Sequence, residues 1–464
     1  MNFRVHHKII CFLGFLSGLS GQGFSQAAAV KQGREYQLTD EKKGHLLNTS
    51  QCFSKDDQWI VFDNRNADSG IASNGSIGIV NTGSREIRTL YRTEHQSPYG
   101  PGVGAASFSP VEDRVIFIHG LRNCDRDKPY SFARRTGVAV RINQPGIPAF
   151  MDARMIDSPY IAGALRGGTH AHSWSADGEW ISFTYNDYII GQLGKQDTAF
   201  KDLRVVAVMN NSHPVIVPAG NNPENNNGEY FAAVVTEVTS HPARNSDEID
   251  KAFDEGWIGT GGYLKKDGKR QKRAIAFQGN TRDENDSTKT EVFVADIPDD
   301  IGRAREGCPL EGGPLSRPCP PAGVTQRRVS FTKKGIRGPR FWLRSTPDGK
   351  WIGFLSTDSN NIVQLFLVSP NGGPVKQLTR LGSSIEGPFN FSPDGKRCAF
   401  IAGGKICITR LKDGYTRSYP LSALMAGKPS GPVVWSNKGS LLAYNRPVKT
   451  PAGESFMQIF LLRL

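Results

Sequence analysis

The chain lacks most of the signatures that would assign it to a common enzyme or membrane class. It has no Cys-x-x-Cys, which excludes a zinc ribbon and a thioredoxin-type redox motif. It has no Gly-x-Ser-x-Gly, the sharp turn on which α/β-hydrolases present a nucleophilic serine. The apolar run from Ile9 to Leu19 is too short to span a bilayer, and nothing longer follows, so no transmembrane segment is expected after it. Gly100-Pro101-Gly102-Val103-Gly104 has the glycines of a phosphate loop but no helix-period sequence after it, and reads as a turn between units. Aromatic and basic residues interleave at no spacing that would read nucleic acid, and none is expected as a partner.

What is present is rich in turns. The 464 residues include 51 Gly and 28 Pro, which suits many short strands better than helices. Arg4 and Lys8 precede the apolar run, and Ser25-Gln26-Ala27 follows it, the pattern of a cleaved signal peptide over residues 1–27. A periplasmic or secreted protein is therefore expected, with residues 28–464 as one domain and a monomer. Removing that segment lowers the formal charge from +13 to +11, an excess that attracts anionic surfaces such as acidic polysaccharide. Most of the basic residues are scattered, and only Lys265-Lys266 and Lys269 to Arg273 cluster. In an oxidising compartment Cys308 and Cys319, bracketing a Pro/Gly-rich loop, are the best candidate disulfide. Cys398 and Cys407 flank Gly403-Gly404; they can face one another or serve as small buried hydrophobes.

One phrase recurs along the chain: an aromatic residue, Ser, often Pro, then Asp-Gly-Lys and a β-prone run ending near Phe. Cys52-Phe53-Ser54, Phe108-Ser109-Pro110, Trp174-Ser175-Ala176-Asp177-Gly178, Thr346-Pro347-Asp348-Gly349-Lys350, Phe391-Ser392-Pro393-Asp394-Gly395-Lys396 and Trp435-Ser436 carry it. A degenerate copy, Leu264-Lys265-Lys266-Asp267-Gly268, makes seven. Further strands follow most copies, so the unit has four strands, the pattern of a β-propeller blade. The chain closes on Gln458 to Leu462, a third-strand phrase, while Tyr36 to Thr39 is a fourth-strand phrase with no blade before it. The expected fold is an all-β, seven-bladed propeller whose last blade is completed by the N-terminal strand, leaving no open edge. The acidic stretch Ser240 to Gly256 is expected to form a short helix over the ring.

Gln377-Leu378-Thr379 with Phe391 to Lys396 resembles the TolB-type propeller repeat, and the likeness covers nearly all of the chain after residue 27. It is nearest to exported TolB-like propellers without an assigned activity. More distantly the chain resembles the oligogalacturonate lyases, which are seven-bladed and manganese-dependent. The repeat implies architecture and says little of function, because propellers host binding and catalysis alike.

Function rests on the third copy, Gly167-Gly168-Thr169-His170-Ala171-His172-Ser173-Trp174, which alone carries His-x-His. On a strand, residues two apart share a face, so both imidazoles are expected at the channel, where a divalent cation (Mn, Ca or Zn) would need them. Asp187 and His119 complete the candidate ligand set. Against the lyases, the ligand Gln three residues before His-x-His is here Gly167. The two histidines can equally serve only as hydrogen-bonding partners between strands. Two readings follow. In the first the protein is a binding module that docks a protein or an acidic polysaccharide at the channel rim. In the second it is a metal-dependent lyase acting on a uronate-containing glycan, with Arg166 the candidate base.

Overall fold

The recurring phrase is a self-contained turn. In a computed structural model, which describes residues 34–422 and 426–464, the Ser or Thr hydroxyl donates to the Asp carboxylate two residues on. This occurs at Ser54–Asp56, Ser175–Asp177, Thr346–Asp348 and Ser392–Asp394. The same hydroxyl accepts the backbone N–H that opens the next strand, from Trp59, Trp180, Trp351 and Arg397. Burial opposes ionisation of these carboxyls, but the Ser or Thr hydroxyl and a backbone N–H outweigh it and hold each below its usual value. Gly178, Gly349 and Gly395 take the left-handed backbone conformation the turn requires. The phrase thus encodes the hairpin between the first two strands of a blade.

Among the described residues seven sheets result, six of four strands and one of three, together with two small two-stranded ribbons. The innermost strands are Val103–Phe108, Gly167–Trp174, Ala252–Trp257, Arg344–Ser345, Asn390–Phe391 and Ser430–Trp435 in blades two to seven. In blade one that position is held by two isolated bridges, Leu46 to Asp63 and Phe53 to Ile60. The apolar residues between neighbouring blades form seven separate cores. Val61, Phe108 and Phe117 lie between blades one and two, and Phe277, Phe293 and Val206 between three and four. Each buried side chain of this size contributes about 1.5–3 kcal/mol, so the ring is held by its blade interfaces.

The ring closes as expected. Arg34–Gln37 pairs antiparallel with Ser455–Arg463, Arg34 opposite Arg463 and Gln37 opposite Phe460. The seam is cross-linked by polar groups. Glu35 accepts hydrogen bonds from Arg446 at 2.6 Å and from the Tyr444 hydroxyl at 2.7 Å. Asn445 joins Leu47 N and the His45 carbonyl, and Gln458 donates to the Glu41 and Lys43 carbonyls. The expected signal peptide, residues 1–27, lies outside the described residues. No helix among the described residues is long and apolar enough to cross a membrane.

Two expectations need correction. Residues 240–256 hold no helix: Ala252–Trp257 is the innermost strand of blade four. Asp254-Glu255-Gly256-Trp257 stands where Ala171-His172-Ser173-Trp174 stands in blade three, and its charges mask the strand in the sequence. The degenerate copy Leu264 to Gly268 instead belongs to a small ribbon, Tyr263–Leu264 with Arg270–Gln271, inserted after that strand. One helix does form, Tyr188–Gln196, capped by Asp187, whose carboxylate accepts Ile190 N. Of the two readings of Cys398 and Cys407 the structure selects the buried hydrophobe: the ladder sets Cys398 opposite Thr409 and Cys407 opposite Phe400, and both thiols are free and buried.

Candidate functional site

The innermost strands all begin on one face of the ring, and on that face blades two to five converge around His170. The ring of His170 lies 6.0 Å from that of Phe132, centroid to centroid. Phe132 is 60% exposed although large and apolar. It sits on the connection preceding strand Arg135–Arg141 of blade two. That connection presses onto blade three so closely that a Cβ at Gly168 would meet the Phe132 carbonyl at 1.9 Å. Two guanidinium groups flank the Phe132 ring, Arg135 at 4.6 Å and Arg204 at 5.2 Å. On blade four Phe253 carries Lys251 at 5.0 Å and Arg340 at 4.5 Å.

Three of these cations, Arg135, Arg204 and Arg340, therefore act on one imidazole, and Lys251 shares the Phe253 ring with Arg340. Among the described residues only Arg340 has a carboxylate within ion-pair distance, Asp254 at 2.7 Å. Arg135 is 3% exposed, yet its side chain bonds only the Tyr130 hydroxyl and its Nε has no partner. Burial lowers its affinity for the proton. Burial, then repulsion from Arg340 and Arg135, does the same to Arg204. His170 is driven well below the usual imidazole range by burial and then by Arg135 and Arg204, so it is neutral at pH 7. Neither of its ring nitrogens has a hydrogen-bond partner.

Glu255 extends the cluster. Its Oε2 accepts from Thr184 Oγ1 at 3.2 Å, and Thr184 is paired opposite His170 in the blade-three ladder. Its Oε1 has no partner, and burial pushes the carboxyl up to about 8. Buried polar atoms are normally paired. Here His170 Nδ1 and Nε2, Arg135 Nε and Glu255 Oε1 are not.

Deeper along the innermost strands, chords of hydrogen bonds cross the channel. Gln51 of blade one reaches past blade two to bond both N and O of Trp174 at 3.0 and 2.8 Å. Arg344 of blade five donates to Thr49 Oγ1 at 2.9 Å and to Asn390 Oδ1 at 3.0 Å. Asn390 in turn donates to the carbonyls of Thr49 and Val433. At this level the channel is not an open tube.

The candidate metal ligands are not brought together. Ala171 adopts φ 62° and a bulge falls between His170 and Ser173, which breaks the alternation that would set both imidazoles on one face. His172 instead bonds Thr169 Oγ1 at 3.0 Å and packs on Phe183. His119 bonds the Tyr91 hydroxyl at 2.9 Å. Asp187 is held by Arg166 at 2.9 Å and caps the helix. A Cβ at Gly167 would meet the Asn186 carbonyl at 1.9 Å, so no ligand side chain fits there. Among the described residues no three His, Cys, Asp or Glu side chains are grouped closely enough to hold a metal ion. These donors do not fit a divalent cation. Arg166 is equally committed: besides Asp187 it donates to the carbonyls of Gly313 and Ser316, pinning the loop that the Cys308–Cys319 disulfide closes.

Arg135, Arg204, Lys251, Glu255 and Arg340 are absent from the sequence reading, because no motif spaces residues drawn from three blades and two connections. The one available signal is the repeat phase: Glu255-Gly256-Trp257 matches His172-Ser173-Trp174 and so marks a channel strand.

Comparison with known proteins agrees with this architecture. The family described as "Protein of unknown function (DUF3748)" matches residues 102–225, which span blade two and the first three strands of blade three. "Uncharacterized protein YidR" of Escherichia coli (strain K12) is 36% identical over 435 residues, covering 92% of this chain and 97% of its own. Among solved structures, an oligogalacturonate lyase from Vibrio parahaemolyticus superimposes with TM-score 0.50 at 10% identity, 94% of each chain being covered. TolB from Acinetobacter baumannii gives TM-score 0.35 at 14% identity over 92% of this chain and 86% of its own. The chain belongs to the family of YidR, and its fold is a seven-bladed β-propeller.

Proposed function

We propose that this propeller is an exported binding module that takes an acidic polysaccharide at the channel mouth. The observation that carries the reading is the group of four cations at the mouth, three of them acting on His170, with a single carboxylate in ion-pair contact. Positive charges held this close raise one another's free energy, and a polyanion relieves that cost on binding. The exposed ring of Phe132 between two guanidinium groups offers an apolar face for a sugar. The signal-peptide pattern and the Cys308–Cys319 disulfide both suit an oxidising compartment outside the cytoplasm. The alternative expectation, metal-assisted β-elimination, loses its residue-level support, since the proposed ligands are dispersed and Arg166 is locked in an ion pair.

Affinity electrophoresis in gels containing polygalacturonate or neutral dextran tests the reading. Polygalacturonate should retard the protein, dextran should not, and retardation should weaken steeply with salt. Arg204→Glu with Lys251→Glu, which spare the Arg340–Asp254 ion pair, should abolish retardation while circular dichroism shows the fold retained. Equal retardation by dextran, or no change in the charge-reversed variant, would overturn it.

A further inference from the structure

We propose that a second binding site lies between helix Tyr188–Gln196 and the loop closed by the Cys308–Cys319 disulfide, and that it takes a small amphipathic anion, an apolar body carrying one carboxylate. It shares no residue with the mouth and does not depend on the acidic-polysaccharide reading.

The site is a cavity of about 510 Å3, within the range of about 300–1,000 Å3 usual for small-molecule pockets. One wall is the turn after the helix, Ala199 to Lys201. The other is the loop from Leu315 to Pro320, part of the insertion between the third and fourth strands of blade four. Both walls are pinned by groups outside the cavity. Asp187 caps the helix through Ile190 N, and its ion-pair partner Arg166 donates to the carbonyls of Gly313 and Ser316 in the loop. The disulfide closes the base of that loop, and Arg317 donates to the Lys201 carbonyl, joining one wall to the other. A cavity formed in advance spares the ligand the cost of ordering the protein.

Charge and polarity select the ligand. Lys201, Arg305 and Arg317 line the cavity against one carboxylate, Glu237, and Arg305 takes that carboxylate in an ion pair. Among the described residues Arg317 meets only the Lys201 carbonyl, and its buried Nε has no partner. Burial lowers its affinity for the proton, while Asp187 and Asp202 support its charge from beyond ion-pair contact. A carboxylate can pair such a guanidinium through two parallel hydrogen bonds. Val205, Val238, Pro318, Pro320 and the disulfide offer nothing to a second charge and suit an apolar body. Leu315, 67% exposed although large and apolar, also lines the cavity, and an apolar ligand would cover it.

Fluorescence titration of the full chain with anilinonaphthalene sulfonate, an aromatic body with one anionic group, tests this. A single probe should bind per protein, and decanoate should displace it. Neither decanol, which lacks the charge, nor acetate, which lacks the apolar body, should compete at the same concentration. Arg317→Gln should weaken decanoate about tenfold, the loss of a charge-assisted contact. Ala199→Trp, at an exposed position on the cavity wall, should exclude the probe while circular dichroism, melting and polygalacturonate retardation stay as in the parent. Absence of a displaceable probe, equal displacement by decanoate and decanol, or binding indifferent to both variants would overturn the site and leave the reading of the mouth intact.

Discussion

The closing seam and the channel mouth handle buried charge in opposite ways. At the seam Arg446 is 2% exposed and fully engaged: it meets Glu35 at 2.6 Å and donates to the carbonyls of Gly427, Ser422 and Ala426. At the mouth Arg135 is 3% exposed and meets one phenol. Evolution can afford an unpaired buried charge only where the rest of the ring supplies the stability. The seam must be paired because it is the one place where the two ends of the chain join, whereas the mouth can be left hungry because a ligand completes it.

The largest effect should come from breaking the seam. Deleting residues 34–39 removes the outer strand of the last blade and bares the edge of Ser455–Arg463, whose Phe460 and Leu461 are fully buried. Soluble yield and melting temperature should both collapse; a truncated protein as stable as the parent would show that the strand does not close the ring. Glu35→Ala is the subtler version. It strands the Arg446 guanidinium with carbonyl partners alone and should cost about 3 kcal/mol in chemical denaturation.

The same contrast explains what the sequence could and could not show. Closure was readable because both ends carry recognisable strand phrases, and a strand phrase is local. The blade count was readable because the Ser-x-Asp-Gly turn is held by hydrogen bonds within its own few residues. The disposition of His170 and His172 was not, since it depends on the left-handed Ala171 and its bulge, which the alternating pattern cannot reveal. Nor was the mouth: Phe132 comes from a connection, Arg135 from the start of a strand, Arg204 from a strand entrance and Arg340 from a loop, joined only once the ring is closed. Blade four was misphased for a related reason, as carboxylates at its channel positions look like a solvated helix until Glu255 is seen to be buried.

At the mouth, substitutions should do the reverse of those at the seam. His170→Leu replaces an imidazole with two unpaired nitrogens by an apolar side chain of similar size beside Phe132. Melting temperature should stay level or rise by a few degrees while polygalacturonate retardation weakens, the signature of a residue kept for binding. A drop in stability comparable to that of Glu35→Ala would place His170 with the seam residues and erase the distinction.

The smallest effect, and the sharpest in sign, is the pH dependence of Glu255→Gln. In the folded protein burial raises this carboxyl from 4.5 to about 8. Between those values the unfolded chain has lost its proton while the folded chain keeps it, so folding stability falls as pH rises across the window. Glutamine resembles the protonated form and cannot ionise, so the variant escapes that loss. Its melting temperature should match the parent near pH 4.5, pull ahead through neutrality and level off above about 8. His172 slopes the other way: burial and then Arg135 lower it from 6.5 to about 3, so its stabilising contribution fades as pH falls through that range. Subtracting parent from variant cancels this second slope, because both proteins carry His172. A difference that does not vary with pH would mean Glu255 titrates as an ordinary carboxyl, and the contrast between a paired seam and an unpaired mouth would then rest on Arg135 and His170 alone.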